Sequence, residues 1–124
     1  MDTSKNQSLF ARLRFASAGV AHAVRAERSV RFHLGALCLV LIALCVFQPE
    51  PLWWAVVILT SAAVISAELF NTALEHLADH LHPEIHPSIR IVKDCAAAAV
   101  LVCSIAAVAV AAAFAVHLIR RTVH

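Results

Sequence analysis

Three long apolar segments, residues 34–47, 52–67 and 95–118, constrain the fold of this chain more than any other feature. A helix needs about 20 mostly apolar residues to cross a bilayer, and each segment approaches or exceeds that length once its flanking residues are counted. With 61% hydrophobic and 15% charged residues, the chain is also far more apolar than a soluble domain. The pattern predicts an all-α membrane protein with a single domain over residues 1–124.

The segments order the chain into four predicted helices. We expect spans over about residues 30–48, 52–79 and 93–118, preceded by a surface helix over about residues 8–27. The surface helix is amphipathic, since its apolar residues alternate with arginines that suit the phosphate layer of a membrane. Helical periodicity carries the second span past its apolar part to Asp79, so this helix should protrude from the bilayer.

The basic residues near the span ends predict the orientation. Most of them fall on one side, which the positive-inside rule assigns to the cytoplasm. They are Lys5, Arg12, Arg14, Arg25, Arg28, Arg31, Arg90 and Lys93, whereas Arg120 and Arg121 fall on the other side. We therefore expect a multi-pass protein of the bacterial cytoplasmic (inner) membrane, with its N-terminus inside the cell.

Composition excludes two further function classes and predicts self-association. A formal charge of only +2 gives too weak a field for a nucleic-acid partner. Two glycines leave no glycine-rich phosphate loop. Alanine fills eleven of the 24 positions from Cys95 to Leu118, and such small side chains let membrane helices approach closely. The third span should therefore pack inside an oligomer.

The most informative polar residues are Glu68, Asn71, Glu75 and Asp79, which share one stripe of a helix. A carboxylate at membrane depth is costly, so Glu68 is a candidate functional residue. Its alternative role is a polar tether between helices, to Asn71 or to an arginine. A column of like charges repels itself, however, and Mg²⁺ shared with Glu27 would relieve that repulsion.

A second candidate site lies at the start of the third span. Pro87 or Ser88 is a plausible helix start, which places Arg90 and Lys93 in the first turns, where free N–H groups favour an anion. Lys93 is alternatively an anchor at the membrane interface with Asp94 as its ion-pair partner.

Four histidines, His76, His80, His82 and His86, form a third candidate group. His76 and His80 are four residues apart, a spacing that can hold zinc or copper. Pro83 lies within the second pair and Pro87 directly follows it, and interfacial loop histidines are the alternative interpretation.

Three motifs resemble the prokaryotic diacylglycerol kinase family of small three-span lipid kinases, which includes undecaprenol kinases. They are Glu27-Arg28-x-x-x-Phe32-His33, Glu68-x-x-Asn71-Thr72-Ala73-x-Glu75-x-x-x-Asp79 and Lys93-Asp94-x-Ala96-Ala97-x-Ala99-Val100. The resemblance covers about residues 10–118.

The resemblance implies a homotrimer whose active sites are shared between protomers at the cytoplasmic interface. It implies transfer of the γ-phosphoryl group of ATP to a lipid hydroxyl with Mg²⁺. Glu68 matches the catalytic base, and Glu27 and Glu75 match metal ligands. The nucleotide site is matched by Phe15, Glu84, His86, Lys93 and Asp94, with Asn71 and Asp79 as further polar residues.

The lipid substrate stays open at this point. Diacylglycerol, giving phosphatidic acid, is the first candidate and undecaprenol the second. An alternative of another class is a non-enzymatic membrane protein that binds a metal or serves as a scaffold.

Overall fold

The chain folds into four α-helices in a computed structural model that describes residues 8–84 and 86–123. The helices are α1 (Leu9–Ala26), α2 (Arg28–Phe47), α3 (Pro51–Leu81) and α4 (Pro87–Val123). The described residues contain no strand. The predicted all-α fold of three spans and an N-terminal helix is thus confirmed. Lys5 lies outside the described residues.

Helices α2, α3 and α4 are each long and apolar enough to cross a membrane. The α3 helix continues past its apolar part to Leu81, as the periodicity predicts. The α4 helix starts at Pro87, one of the two predicted helix starts, and extends beyond the predicted span at both ends, where its first turns carry Arg90 and Lys93 and its last turn carries Arg120 and Arg121. Hydrophobicity alone finds only the part of a helix inside the hydrocarbon.

A single extended residue, Glu27, joins α1 to α2, with φ −109° and ψ 127°. The Oγ of Ser8 caps the start of α1 by accepting a hydrogen bond from the Ala11 N–H at 3.3 Å. Arg31 caps its end, since Nη1 donates to the carbonyl oxygens of Val24 at 2.9 Å and Arg25 at 3.3 Å. A cation on the last carbonyls of a helix suits the helix dipole. These contacts set the position of Glu27 where the surface helix meets the first span.

The end of the bundle away from Glu27 is closed by an apolar cluster. Leu44 of α2, Val57 of α3 and Phe114 of α4 are all buried there. Gln48 ends α2 in the left-handed conformation, with φ 43°. Nη1 of Arg121 donates to the carbonyl oxygens of Phe47 at 3.2 Å and Gln48 at 3.3 Å. A side chain in the last turn of α4 thus donates hydrogen bonds to backbone carbonyl groups at the end of α2.

Helix α4 packs mainly on α3 and leaves most of its own surface uncovered. Ala96 and Phe114 are its buried residues in the isolated chain. An exposed stripe lies along its apolar stretch, formed by Leu101, Ile105 and Val108. The predicted packing of this helix in an oligomer stays a prediction.

Candidate active site at the inner end of the bundle

Glu68 lies on α3 and is almost completely buried, with 2% of its surface exposed. Its Oε2 accepts a hydrogen bond from Ser29 Oγ at 2.9 Å. Its Oε1 lies 3.1 Å from Nε2 of His33, although the imidazole is not aligned for a hydrogen bond. No other described group bonds to Oε1. The carboxylate thus faces α2, with one oxygen bonded and the other still able to accept a proton.

Glu68 does join two helices, as the alternative role of a polar tether predicts, but through partners other than the expected ones. The expected partners were Asn71 or an arginine, whereas the structure gives Ser29 and His33 of α2. Asn71 is one turn along α3 and bonds instead to Glu75. Ser29 and His33 are four residues apart and so share one face of α2.

Asn71 and Glu75 form the next polar pair along α3. The Asn71 Nδ2 donates to Glu75 Oε1 at 3.0 Å, and both side chains are half-buried. Asn71 Oδ1 is buried and has no hydrogen-bond partner among the described residues. A buried acceptor without a hydrogen-bond donor is unusual, because nearly all buried polar groups in proteins have a hydrogen-bond partner. The pair therefore presents hard oxygen atoms with bonding capacity to spare.

Glu27 is half-buried at the junction of α1 and α2, and its side chain caps neither helix. Among the described residues, no three His, Cys, Asp or Glu side chains of one chain converge on a point that could hold a metal ion. The role of Glu27 and Glu75 as metal ligands stays a prediction.

Lys93 connects α4 to the outermost acid on the stripe. Its Nζ pairs with Asp79 Oδ1 across the α3–α4 interface. Asp94, the partner expected for Lys93, instead lies 3.7 Å from Arg90 on the exposed surface of α4. The α3–α4 packing thus brings a cation beside the acidic stripe, as a site for a phosphate group requires.

The remaining predicted nucleotide residues lie at the same end of the bundle but do not touch Glu68. Glu84 and His86 are exposed in the connection between α3 and α4. Nδ1 of His86 accepts a hydrogen bond from the Ser88 N–H at 3.2 Å, which caps α4. Phe15 is exposed on α1, with the Arg14 guanidinium carbon 5.5 Å from the centre of its ring.

The histidines do not form the cluster that the spacing suggested. His76 and His80 lie on α3, while His82 and His86 lie in the connection that follows. Nε2 of His76 lies 3.2 Å from Nε2 of His22 on α1. This contact joins α1 to α3.

Reasoning from the sequence missed Ser29, His33 and His22 as contacts of the polar site. A signal was present for the first two. Both are polar, both precede a long uncharged run, and their spacing places them on one helical face. Their common partner, Glu68, is 39 residues from Ser29 in the sequence, and no local sequence pattern indicates a contact at that separation.

The family model described as prokaryotic diacylglycerol kinase matches residues 14–115. An undecaprenol kinase of Bacillus subtilis is 37% identical over 87 residues, which are 70% of this chain and 71% of that protein. A diacylglycerol kinase of Synechocystis is 40% identical over 104 residues, which are 83% of this chain and 59% of that protein. The matched part thus spans about three fifths of the Synechocystis relative. The chain therefore belongs to the prokaryotic diacylglycerol kinase family of lipid kinases.

Proposed function

We propose that this protein phosphorylates the hydroxyl of a membrane lipid with MgATP, and that diacylglycerol is its substrate, giving phosphatidic acid. The observation that carries the proposal is the buried Glu68 carboxylate, which lies on a span and is held by α2. A base at this depth can meet the hydroxyl of a lipid that stays in the bilayer. The relative named diacylglycerol kinase supports the choice of lipid.

Glu68 serves as the general base in the proposed reaction. Its carboxylate accepts the proton of the lipid hydroxyl while that oxygen bonds to the γ-phosphorus of ATP. The bond from the γ-phosphorus to the β–γ bridging oxygen breaks, and ADP leaves. Phosphoryl transfer depends mainly on positioning and charge neutralisation, so one base beside a well-placed nucleotide suffices.

The nucleotide is assigned to the cytoplasmic end of the bundle. Lys93 neutralises phosphate charge, and its pairing with Asp79 keeps the ammonium at the α3–α4 interface. Asp94, Glu84 and His86 supply polar contacts from the start of α4 and the preceding connection. Phe15 offers an exposed ring beside which a nucleotide base can lie.

Glu27 and Glu75 are the proposed ligands of Mg²⁺, with Asn71 beside them. The donor set fits this ion, because carboxylate and amide oxygens are hard ligands and Asn71 Oδ1 has no other described partner. When bound, the ion would neutralise negative charge on the phosphates. Glu75 also accepts the hydrogen bond that orients Asn71.

The proposed assembly is a homotrimer in the bacterial cytoplasmic membrane, with the N-terminus and the active sites on the cytoplasmic side. One observation supports self-association, because α4 leaves most of its apolar surface uncovered.

Undecaprenol is the second candidate substrate, with undecaprenyl phosphate as the product. The observation in its favour is the relative named undecaprenol kinase, of which this chain covers 71%.

The test is a labelled-ATP assay on purified protein in mixed micelles, with diacylglycerol and undecaprenol offered in separate tubes. We expect magnesium-dependent transfer of label to diacylglycerol at the higher kcat/KM. Faster labelling of undecaprenol would overturn the choice of lipid. Labelling of neither lipid would overturn the kinase assignment and favour a non-enzymatic metal-binding or scaffold protein.

A further inference from the structure

The Glu68 carboxylate is held only from α2 among the described residues. Ser29 donates to one of its oxygens at 2.9 Å, and the His33 ring nitrogen lies 3.1 Å from the other. A carboxylate that is 2% exposed has lost its water, and hydrogen-bond donors must replace that water for the charged form to persist. Ser29 and His33 are the side chains in position to do so.

His33 is also the polar end of an apolar groove between α2, α3 and α4. The groove is lined mainly by aliphatic side chains, among them Leu37, Val40, Val64 and Val110. His33 therefore contacts both Glu68 and this groove. Its side chain is 20% exposed, compared with 2% for Glu68.

The imidazole needs only a change in ring orientation to donate a hydrogen bond. Its Nε2 is already within ion-pair distance of Oε1, and Oε1 has no other described donor. The neutral tautomer protonated on Nε2 is sufficient for this bond, and a charged imidazolium is not required. One oxygen would then bond to Ser29 and the other to His33, which fixes the plane of the carboxylate.

We propose that His33, together with Ser29, is a positioning residue for the catalytic base, orienting Glu68 toward the lipid hydroxyl. The inference rests on the proposed function of Glu68. It goes beyond that function because it assigns the orientation of the base to residues of α2. None of the proposed nucleotide contacts lies within α2. Loss of this support should slow the chemical step and leave the binding of ATP unchanged.

The test compares His33→Leu, His33→Gln and Ser29→Ala with the unaltered protein. Because misplacement of a reacting group by about 1 Å can cost about 10²-fold, we expect His33→Leu to lower kcat on that scale. KM for MgATP should stay within about twofold. The amide of His33→Gln can donate to Oε1 and should restore most of kcat, and Ser29→Ala should give a smaller loss than His33→Leu.

His117→Gln is the matched control, because His117 packs against Trp53, a residue of the cluster at the other end of the bundle. Unchanged kcat in His33→Leu would overturn the proposal, and so would a failure of His33→Gln to recover activity. A rise in KM for MgATP equal to the fall in kcat would also overturn it, since that pattern indicates a role at the nucleotide.

A second measurement does not depend on kinase activity and so separates this proposal from the proposed function. In ¹⁵N-histidine spectra of the protein in micelles, Glu68→Gln should shift the ring-nitrogen resonance of His33 and leave that of His117 in place. An unshifted His33 resonance would overturn the contact, even if the protein phosphorylates lipid.

Discussion

At the scale of single residues, the candidate site consists of polar side chains at positions where burial of a polar group costs free energy. Glu68 is buried on a span and bonds to Ser29, and Asn71 keeps an unpartnered buried oxygen beside Glu75. A buried polar group persists in a membrane when it is satisfied or when function requires it. The two sets of contacts divide the stripe into a carboxylate facing α2 and a pair of oxygen donors further along α3.

The substitution Glu75→Gln tests the proposed role of Glu75 as an oxygen donor to Mg²⁺. Removal of one carboxylate oxygen should weaken Mg²⁺ binding and raise the magnesium concentration for half-maximal activity by about tenfold or more. The measurement is the magnesium dependence of lipid phosphorylation at saturating ATP. Glu50→Gln is the control, since Glu50 is exposed at the other end of α3 and makes no side-chain cap. Identical magnesium profiles for Glu75→Gln and the control would contradict the ligand role.

At the scale of helices, the bundle is tied together by side chains that bond to helix ends. Arg31 satisfies carbonyl groups at the end of α1, and Arg121 satisfies those at the end of α2. Such bonds satisfy carbonyl groups that have no partner within their own helix, because the last four carbonyl groups of any helix lack an intrahelical donor. Together with the Lys93–Asp79 pair between α3 and α4, they fix the helices that carry the site.

Arg121→Ala tests this closure of the bundle. Loss of the two bonds to the end of α2 should lower the free energy of unfolding by about 1 kcal/mol and reduce the Tm in detergent. The neighbouring Arg120→Ala is the matched control, because no hydrogen bond of the described structure involves the Arg120 side chain. Equal Tm values for the two variants would show that the cap does not stabilise the fold.

The helices could be predicted from the sequence because each signal is local. Apolar runs locate the spans, and the break between α1 and α2 falls at Glu27, the last residue of the predicted surface helix. The continuation of α3 to Leu81 follows from its periodicity. The start of α4 at Pro87 agrees with the helix start predicted at Pro87 or Ser88. The span boundaries of 93 and 118 are narrower than the helix, because hydropathy falls at charged residues even where the helix continues into water.

The contacts of the site could be predicted only in part. One stripe on α3 follows from helical geometry, and the carboxylate at membrane depth follows from position. The pairing of Glu68 with Ser29 and His33, of His76 with His22 and of Lys93 with Asp79 depends on how separate helices pack. Periodicity within one helix carries no information about which face of another helix it meets.

At the scale of the whole molecule, most of the surface of α4 is not covered by the other helices of the chain. Small side chains along α4 allow close approach of another helix. The proposed trimer would cover this surface with neighbouring copies of the chain.

The mass of the protein in detergent tests that assembly. We expect sedimentation with correction for bound detergent to give three chains of 13.4 kDa per particle. A stable active monomer would contradict the proposed trimer.

The central claim is that a buried carboxylate on α3 takes the proton from a membrane lipid, and Glu68→Gln tests it most directly. The measurement is kcat for transfer of labelled phosphate from ATP to lipid, with assembly checked by sedimentation and Glu50→Gln as the control. General-base catalysis contributes about 10² to 10⁴ in rate, so a loss of that size is expected with the oligomer intact. Retention of wild-type turnover by Glu68→Gln would contradict the account.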